Sequence, residues 1–425
     1  MRQTPRVDPR PAASTGPAKL RAGIRWTLCA LGLLYFPAAF FGSLWLIPLV
    51  GAVVGLAWLF TDGWTIFRKE LAVLLLILFV YSGASALGCW TGIGFCIGWL
   101  HAQEVYVLAA GLLLYVCGIA AAGRTGRGAT VVHGAALGSF VTAALIVLAT
   151  RDHLAVEIRP QFPPLLIERN DLAPLVAWMF FVYGLLRSAA EGKLTRYFAY
   201  PSVLVVAGLL SLATQSRLVA MISVLGAIAF APIDRRSGWL WAMIGIAVAC
   251  VLAVEHQQLE QLVRRVLLAE GGPSVATRFF LWSAGWKMFV AAPWFGHGLG
   301  GFSELAETYA RPLPIGADLD VRVISWPHNV PIEILVEKGI AGLAAFLSLL
   351  GLGVRNLTLR PRHVPDGGWR ATAYLLVALI LIGLLDSTTK RLWYLPSLLY
   401  AVGMSAGLTR SRGSPVDPAN LARTS

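Results

Sequence analysis

Residues 321–347 read VRVISWPHNVPIEILVEKGIAGLAAFL, and here a long polar segment meets an apolar helix. Asn329 is a good N-cap, because its side-chain oxygen can accept from an orphan N–H of the first turn, and Pro331 is tolerated in that turn. The spacing predicts a helix that starts here and runs unbroken through Gly339 and Gly342 into a tail apolar enough for a membrane. His328 stands beside the N-terminus of that helix. The partial positive charge there favours neutral imidazole, which can accept a proton. On this stretch alone His328 reads either as a general base or as a helix-entry residue at a lipid interface.

Working outward, the chain has 57% hydrophobic residues, 13% charged residues and a mean hydropathy of +0.69. These values belong to a multi-spanning membrane protein and exclude an ordinary soluble domain. The net charge of +13 would point to nucleic acid in a soluble chain. In a membrane protein it also arises from basic cytoplasmic connectors, so its distribution decides. Of the five cysteines, Cys29, Cys117 and Cys250 fall in apolar runs as small hydrophobes. Cys89 and Cys96 flank a Gly-rich connector and read as a disulfide in an oxidising compartment or as two free thiols.

Residues 1–25 are rich in Pro, Arg and Ala without periodicity and read as a disordered cytoplasmic tail. Trp26 to Phe60 is too long for one span and is punctuated by Pro37 and Gly42, which predicts a helical hairpin. Further apolar runs fall near 71–88, 104–122, 130–150, 171–187, 197–213, 218–231, 238–254, 330–353, 370–386 and 392–409. The fold class expected is all-α and polytopic, with about twelve spans: nine within 26–254, a helical periplasmic segment at 255–328, three more within 329–409, and a cytoplasmic tail at 410–425.

Basic residues support that count by alternating between connectors. One side receives the N-terminal tail, Arg68 and Lys69, Arg124 and Arg127, Arg187 to Arg196, Arg235 and Arg236, Arg355 to Arg370 and the C-terminal tail. These groups hold 22 of the 35 Lys and Arg, so most of the charge is topological and no nucleic-acid partner is expected.

The opposite side carries Arg151 to Asn170, the TQSR turn at Thr214 to Arg217, the long segment Glu255 to His328, and DSTTKR at Asp386 to Arg391. In the long segment EHQQLEQLVRRVLLAE has the spacing of an interfacial helix. ATRFFLWSAGWKMFVAA then places Arg278, Trp282 and Trp286 along one side of a second helix that Pro293 stops. GHGLGG at Gly296 to Gly301 reads as a tight turn guiding the chain back over the membrane, and His297 within it as incidental. With no strand before it and no regular helix expected after it, a dinucleotide loop is set aside. Most spans lack ionisable residues in their middles, Glu337 and Lys338 being the main exceptions.

Arg217, Arg278, His328 and Asp386 all fall at or near the outer ends of spans, where apolar residues would cost less. Each alone has a bland reading, as a snorkelling or solvated side chain. Together, two guanidinium forks and an imidazole suit an anionic diphosphate, with the dipole at Asn329 aimed at the same anion. No cluster of Asp, Glu and His has ligand-like grouping, so the expectation is arginine in place of a metal and no cofactor.

The stretch SRLVAMISVLGA after TQ, the R-x-x-x-W stretch ending in PWFGHGLGGF, and HNVPIEILVEKGIAGLAAFL together resemble the O-antigen ligase family of bacterial inner-membrane glycosyltransferases. The motifs run over roughly Val203 to Leu408, and the N-terminal third matches only as apolar helices. The resemblance implies a lipopolysaccharide ligase of the GT-C-like class. Such an enzyme moves polysaccharide from undecaprenyl diphosphate to lipid A-core on the periplasmic face, inverting and without a metal. His328, Arg217, Arg278 and Asp386 fall where the family's important residues are expected, with Asp386 orienting either the histidine or an arginine. The alternatives are an O-antigen polymerase, a protein O-oligosaccharyltransferase, or, in another class, a lipid or glycan transporter. An R-x10-G spacing of such polymerases is absent at the outer arginines. A transporter would be expected to show midplane charges, broken helices or inverted repeats.

Overall fold

Every residue from Leu172 to Leu186 is buried. A helix apolar on all sides needs neighbours on all sides, so this one lies at the centre of a bundle. The computed structural model describes residues 15–40, 64–90, 98–122, 127–149, 172–189, 193–214, 216–231, 273–310, 326–359, 366–386 and 393–410. Among the described residues all regular structure is helical, in twelve helices. They are α1 (Thr15–Phe40), α2 (Trp64–Trp90), α3 (Gly98–Ala122), α4 (Arg127–Ala149), α5 (Leu172–Ala189), α6 (Lys193–Thr214), α7 (Arg217–Phe230), α8 (Pro273–Ala291), α9 (Gly301–Ala310), α10 (Val330–Thr358), α11 (Asp366–Leu385) and α12 (Tyr394–Arg410).

Around α5, the Trp178 indole donates to Ser397 Oγ of α12 at 3.2 Å and packs against Phe140, Phe181 and Tyr400. The indole N–H needs such a partner once it leaves water. α12 lies along α3 with the backbones in contact, since a side chain at Gly403 would strike the backbone of Tyr115 and one at Gly118 that of Tyr400. Small residues at a helix crossing let membrane helices approach this closely.

Among the described residues, six helices are long and apolar enough to cross a membrane, at 72–90, 103–122, 129–146, 172–189, 330–358 and 367–385, and shorter apolar helices lie at 23–35, 199–211 and 218–230. The chain is thus a multi-pass, all-helical membrane protein among the residues described. The expected spans at 238–254 and in the second half of 26–60, and the interfacial helix at 255–270, lie outside the described residues. Two boundaries differ from expectation. α1 begins at Thr15, inside the stretch read as a disordered tail, because Pro17 sits in a first turn where its missing N–H is no loss. It also runs past Pro37 to Phe40, so that proline does not end the helix.

The expected continuous helix after Asn329 is broken. Gly339 has φ 62° and ψ −161°, a conformation outside the helical region that glycine alone adopts without strain. The glycine turn fills the break. His297 N donates to Val336 O (2.7 Å), Gly298 N to Glu337 O (3.0 Å), Ile340 N to Pro293 O (2.8 Å) and Ala341 N to Trp294 O (3.2 Å). Backbone groups freed by the kink are thereby satisfied by protein, as they must be away from water. Gly296, Gly298 and Gly300 carry the positive φ values this turn requires. A regular helix, α9, does follow GHGLGG, contrary to the sequence reading, although with no strand before the turn the dinucleotide-loop reading still fails.

The kink redirects the start of α10. At one end Trp369 Nε1 donates to Leu357 O, and at the other Asn329 Nδ2 donates to Leu384 O, both at 3.0 Å, so α10 and α11 are pinned together twice. A straight helix from Asn329 to Leu357 would measure about 42 Å, but from Trp369 to Leu384 only about 22 Å. The part of α10 after Gly339 already covers about 27 Å. The preceding third, residues 330–338, therefore turns across the end of the bundle. α8 runs beside it in the same direction, with Trp282 Nε1 donating to Pro327 O at 2.9 Å and Gly285 facing Ile332 and Val336.

Candidate active site

His328 is the one non-glycine residue with positive φ (51°) among the described residues. A Cβ-bearing residue in this left-handed region stores strain, and such strain persists only where the surroundings over-determine it. Four contacts do so here. Pro327 is held by the Trp282 indole, and Asn329 caps α10 by accepting from Ile332 N at 3.0 Å while its amide reaches Leu384 O. His328 Nδ1 itself lies 3.0 Å from Asp386 Oδ1.

That last pair joins the start of α10 to the end of α11. The Asp386 side chain is 3% exposed and the His328 side chain 28%, so the carboxylate is enclosed and the ring opens to the surface. A neutral imidazole donating Nδ1–H to the carboxylate keeps the Nε2 lone pair as an acceptor. If Nε2 takes a proton, Asp386 stabilises the resulting imidazolium. Asp386 thus contacts the histidine, one of the two partners expected for it. Trp326 flanks the ring edge-on, with centroids 6.4 Å apart.

The arginines share this end of the molecule. Arg278 is half-buried on α8, one turn before Trp282, whose indole bonds the carbonyl next to His328. Arg217 begins α7 directly after Ser216, whose hydroxyl accepts from Val219 N at 3.4 Å. Its backbone alone is described. The Phe230 and Tyr374 rings, 5.3 Å apart, set the other end of α7 level with the lower part of α11. From there about 20 Å of α7 leads to Arg217 and about 18 Å of α11 leads to Asp386, which brings both to one level. Among the described residues, no group of three His, Cys, Asp or Glu is placed to hold a metal ion.

Below the kink lies a buried polar cluster that the sequence marked only in part. Lys338 Nζ forms an ion pair with Glu104 of α3 and sits 4.4 Å from the Tyr81 ring centroid. Ser85 Oγ donates to the other Glu104 oxygen at 3.3 Å, and Glu337 accepts from Gly300 N at 3.0 Å. Glu104, at the mouth of an otherwise apolar span, was the available signal for Lys338's partner. His297 is buried with Nε2 2.8 Å from Met288 O. Cys89 is disulfide-bonded, while Cys29 and Cys117 are buried free thiols as expected; Cys96 and Cys250 lie outside the described residues.

No curated protein matches the chain. Residues 202–347, about a third of the sequence, match the family model described as O-antigen ligase, a stretch that contains Arg217, Arg278 and His328 and ends before Asp386. Over that stretch the chain is similar to the O-antigen ligase family.

Proposed function

We propose that this protein is an inverting, metal-independent glycosyltransferase of the bacterial inner membrane, GT-C-like in class. It transfers O-antigen polysaccharide from undecaprenyl diphosphate to lipid A-core on the periplasmic face. The observation that carries the reading is the 3.0 Å contact between His328 Nδ1 and the enclosed Asp386 carboxylate. An oriented imidazole with a free Nε2 is what a general base for a sugar hydroxyl needs.

In this reading His328 Nε2 takes the proton from an acceptor hydroxyl while that oxygen bonds to the anomeric carbon. The bond from that carbon to the diphosphate oxygen breaks on the opposite side, which inverts the centre. Arg217 and Arg278 bind the diphosphate and stabilise its growing charge as it leaves. Asp386 holds the ring and balances the imidazolium.

The test is reconstitution of the purified protein with lipid-linked glycan and separate acceptors, followed by mass analysis. Lipid A-core is expected to gain the glycan. Gain on a second lipid-linked glycan would establish a polymerase instead, and gain on a protein acceptor a protein ligase. Glycan movement across the bilayer with no new bond would establish a transporter.

A further inference from the structure

α8 and α9 pack on one small core, formed by Phe280, Leu281, Ala284, Met288, Phe302 and Ala306. Their outward faces differ. α9 exposes Ser303, Glu304 and Thr308, a surface for water. α8 exposes Phe279 at 61%, Trp286 at 59% and Val290 at 61% along one side, with exposed Ser283 within that side and Lys287 at its edge. A soluble face would not carry such a stripe, and helices sharing one core differ this way when they meet different solvents.

The stripe is continuous with the lipid-facing surface of the bundle. Phe79, Leu87 and Trp90 are exposed along α2, a membrane-spanning helix, up to its end. There Gly88 lies so close to the Phe295 and Gly296 carbonyls that a Cβ would fall 2.6 Å and 2.7 Å from them. The turn from α8 is thus seated on the end of α2, and exposed Trp90, Trp294 and Phe295 link one apolar surface to the other. The kink at Gly339 lays the first third of α10 across the end of the bundle, and α8 lies along that part. Tryptophan at such a level is characteristic of a membrane–water interface, where an apolar ring meets a polar edge.

We propose that α8 is an interfacial helix whose Phe279–Trp286–Val290 face is inserted into the leaflet on the His328 side, between acyl chains and headgroups. The helix then carries Arg278 at headgroup depth, beside its inserted stripe. That corollary rests on the reading of Arg278 as a diphosphate ligand; the inserted face does not.

The experiment uses the full-length protein in vesicles of phosphatidylethanolamine and phosphatidylglycerol. Single variants Trp286→Cys, Val290→Cys and, as control, Glu304→Cys carry an environment-sensitive fluorophore. The expected result is that brominated lipid quenches emission from 286 and 290 at least about twofold while aqueous iodide does little, with the reverse at 304. Iodide quenching at 286 and 290 equal to that at 304 would place the face in water and overturn the inference. Insensitivity to both quenchers at 286 and 290 would show the face covered by protein, and overturns it equally. Should 286 and 290 be lipid-quenched while Arg278→Ala binds and transfers normally, the inserted face stands and only the diphosphate role of Arg278 fails.

Discussion

The Lys338 ammonium and the Glu104 carboxylate meet where α10 breaks, both nearly excluded from solvent and joined across α3 and α10. Removing one partner leaves an uncompensated charge, so Lys338→Met is expected to destabilise the protein by about 3–5 kcal/mol. The double change Lys338→Met with Glu104→Leu should recover most of that loss, because a well-packed apolar pair of similar volume is often as stable as a buried ion pair. Thermal unfolding in detergent measures both. A double variant no more stable than the single one would show that the pair's charges are not coupled.

Gly339→Ala introduces a Cβ at φ 62°, against the Trp294 carbonyl that receives the Ala341 amide. The strain alone costs about 1–3 kcal/mol, and the clash adds to it. Relief by straightening α10 would carry Asn329 away from Leu384 and His328 away from Asp386. A displacement of 1 Å at the site can cost about 10² in rate, so transfer should fall at least that far even where detergent-solubilised protein remains folded. Normal transfer by a folded Gly339→Ala protein would mean the kink does not position His328.

Helix types were legible because the apolar period reports on the membrane directly, and the same runs put His328 at the start of one apolar helix and Asp386 at the end of another. The cap at Asn329 was legible for the same local reason. The break at Gly339 was not. Nothing in EKGIAG distinguishes a glycine that tolerates a helix from one that ends it, since the decision lies with carbonyls and amides of a turn some forty residues earlier. Glu104 escaped notice because a carboxylate at the mouth of a span has an easy solvated reading, and only its distance in sequence from Lys338 hid the pair. Asp386 as the partner of His328 is likewise a tertiary fact, set by the Asn329–Leu384 pin.

If arginines neutralise the diphosphate, transfer should survive EDTA at concentrations that empty divalent-metal sites. The check is the initial rate with and without chelator in the reconstituted assay. A loss restored by Mg²⁺ or Mn²⁺ would move charge stabilisation from the guanidinium groups to an ion.

Arg278→Lys keeps a positive charge but loses the planar fork. At a bidentate diphosphate contact it should rescue poorly, leaving donor KM raised and kcat lowered, because the contact strengthens as the leaving group gains charge. Arg217→Ala should show the same double defect. A lysine variant with near-normal KM and kcat would reassign Arg278 to a solvated face.

His328 and Asp386 should fail in a different way, and the backbone at 328 supplies the control. Because His328 holds φ 51°, His328→Gly removes the base at a position whose backbone glycine adopts without strain, but it also takes a hydrogen-bond partner from the enclosed Asp386 carboxylate, so thermal unfolding is read beside the rate. Donor binding should persist, and transfer should fall by about 10² to 10⁴. Asp386→Asn keeps a hydrogen-bonding group of the same size but neither fixes the Nδ1–H tautomer nor balances the imidazolium, so a loss in the same range is expected with donor KM little changed. An added imidazole base should restore part of the rate of His328→Gly. Should His328→Gly transfer at the wild-type rate, the strain at 328 serves the entry to α10 alone and the base lies elsewhere.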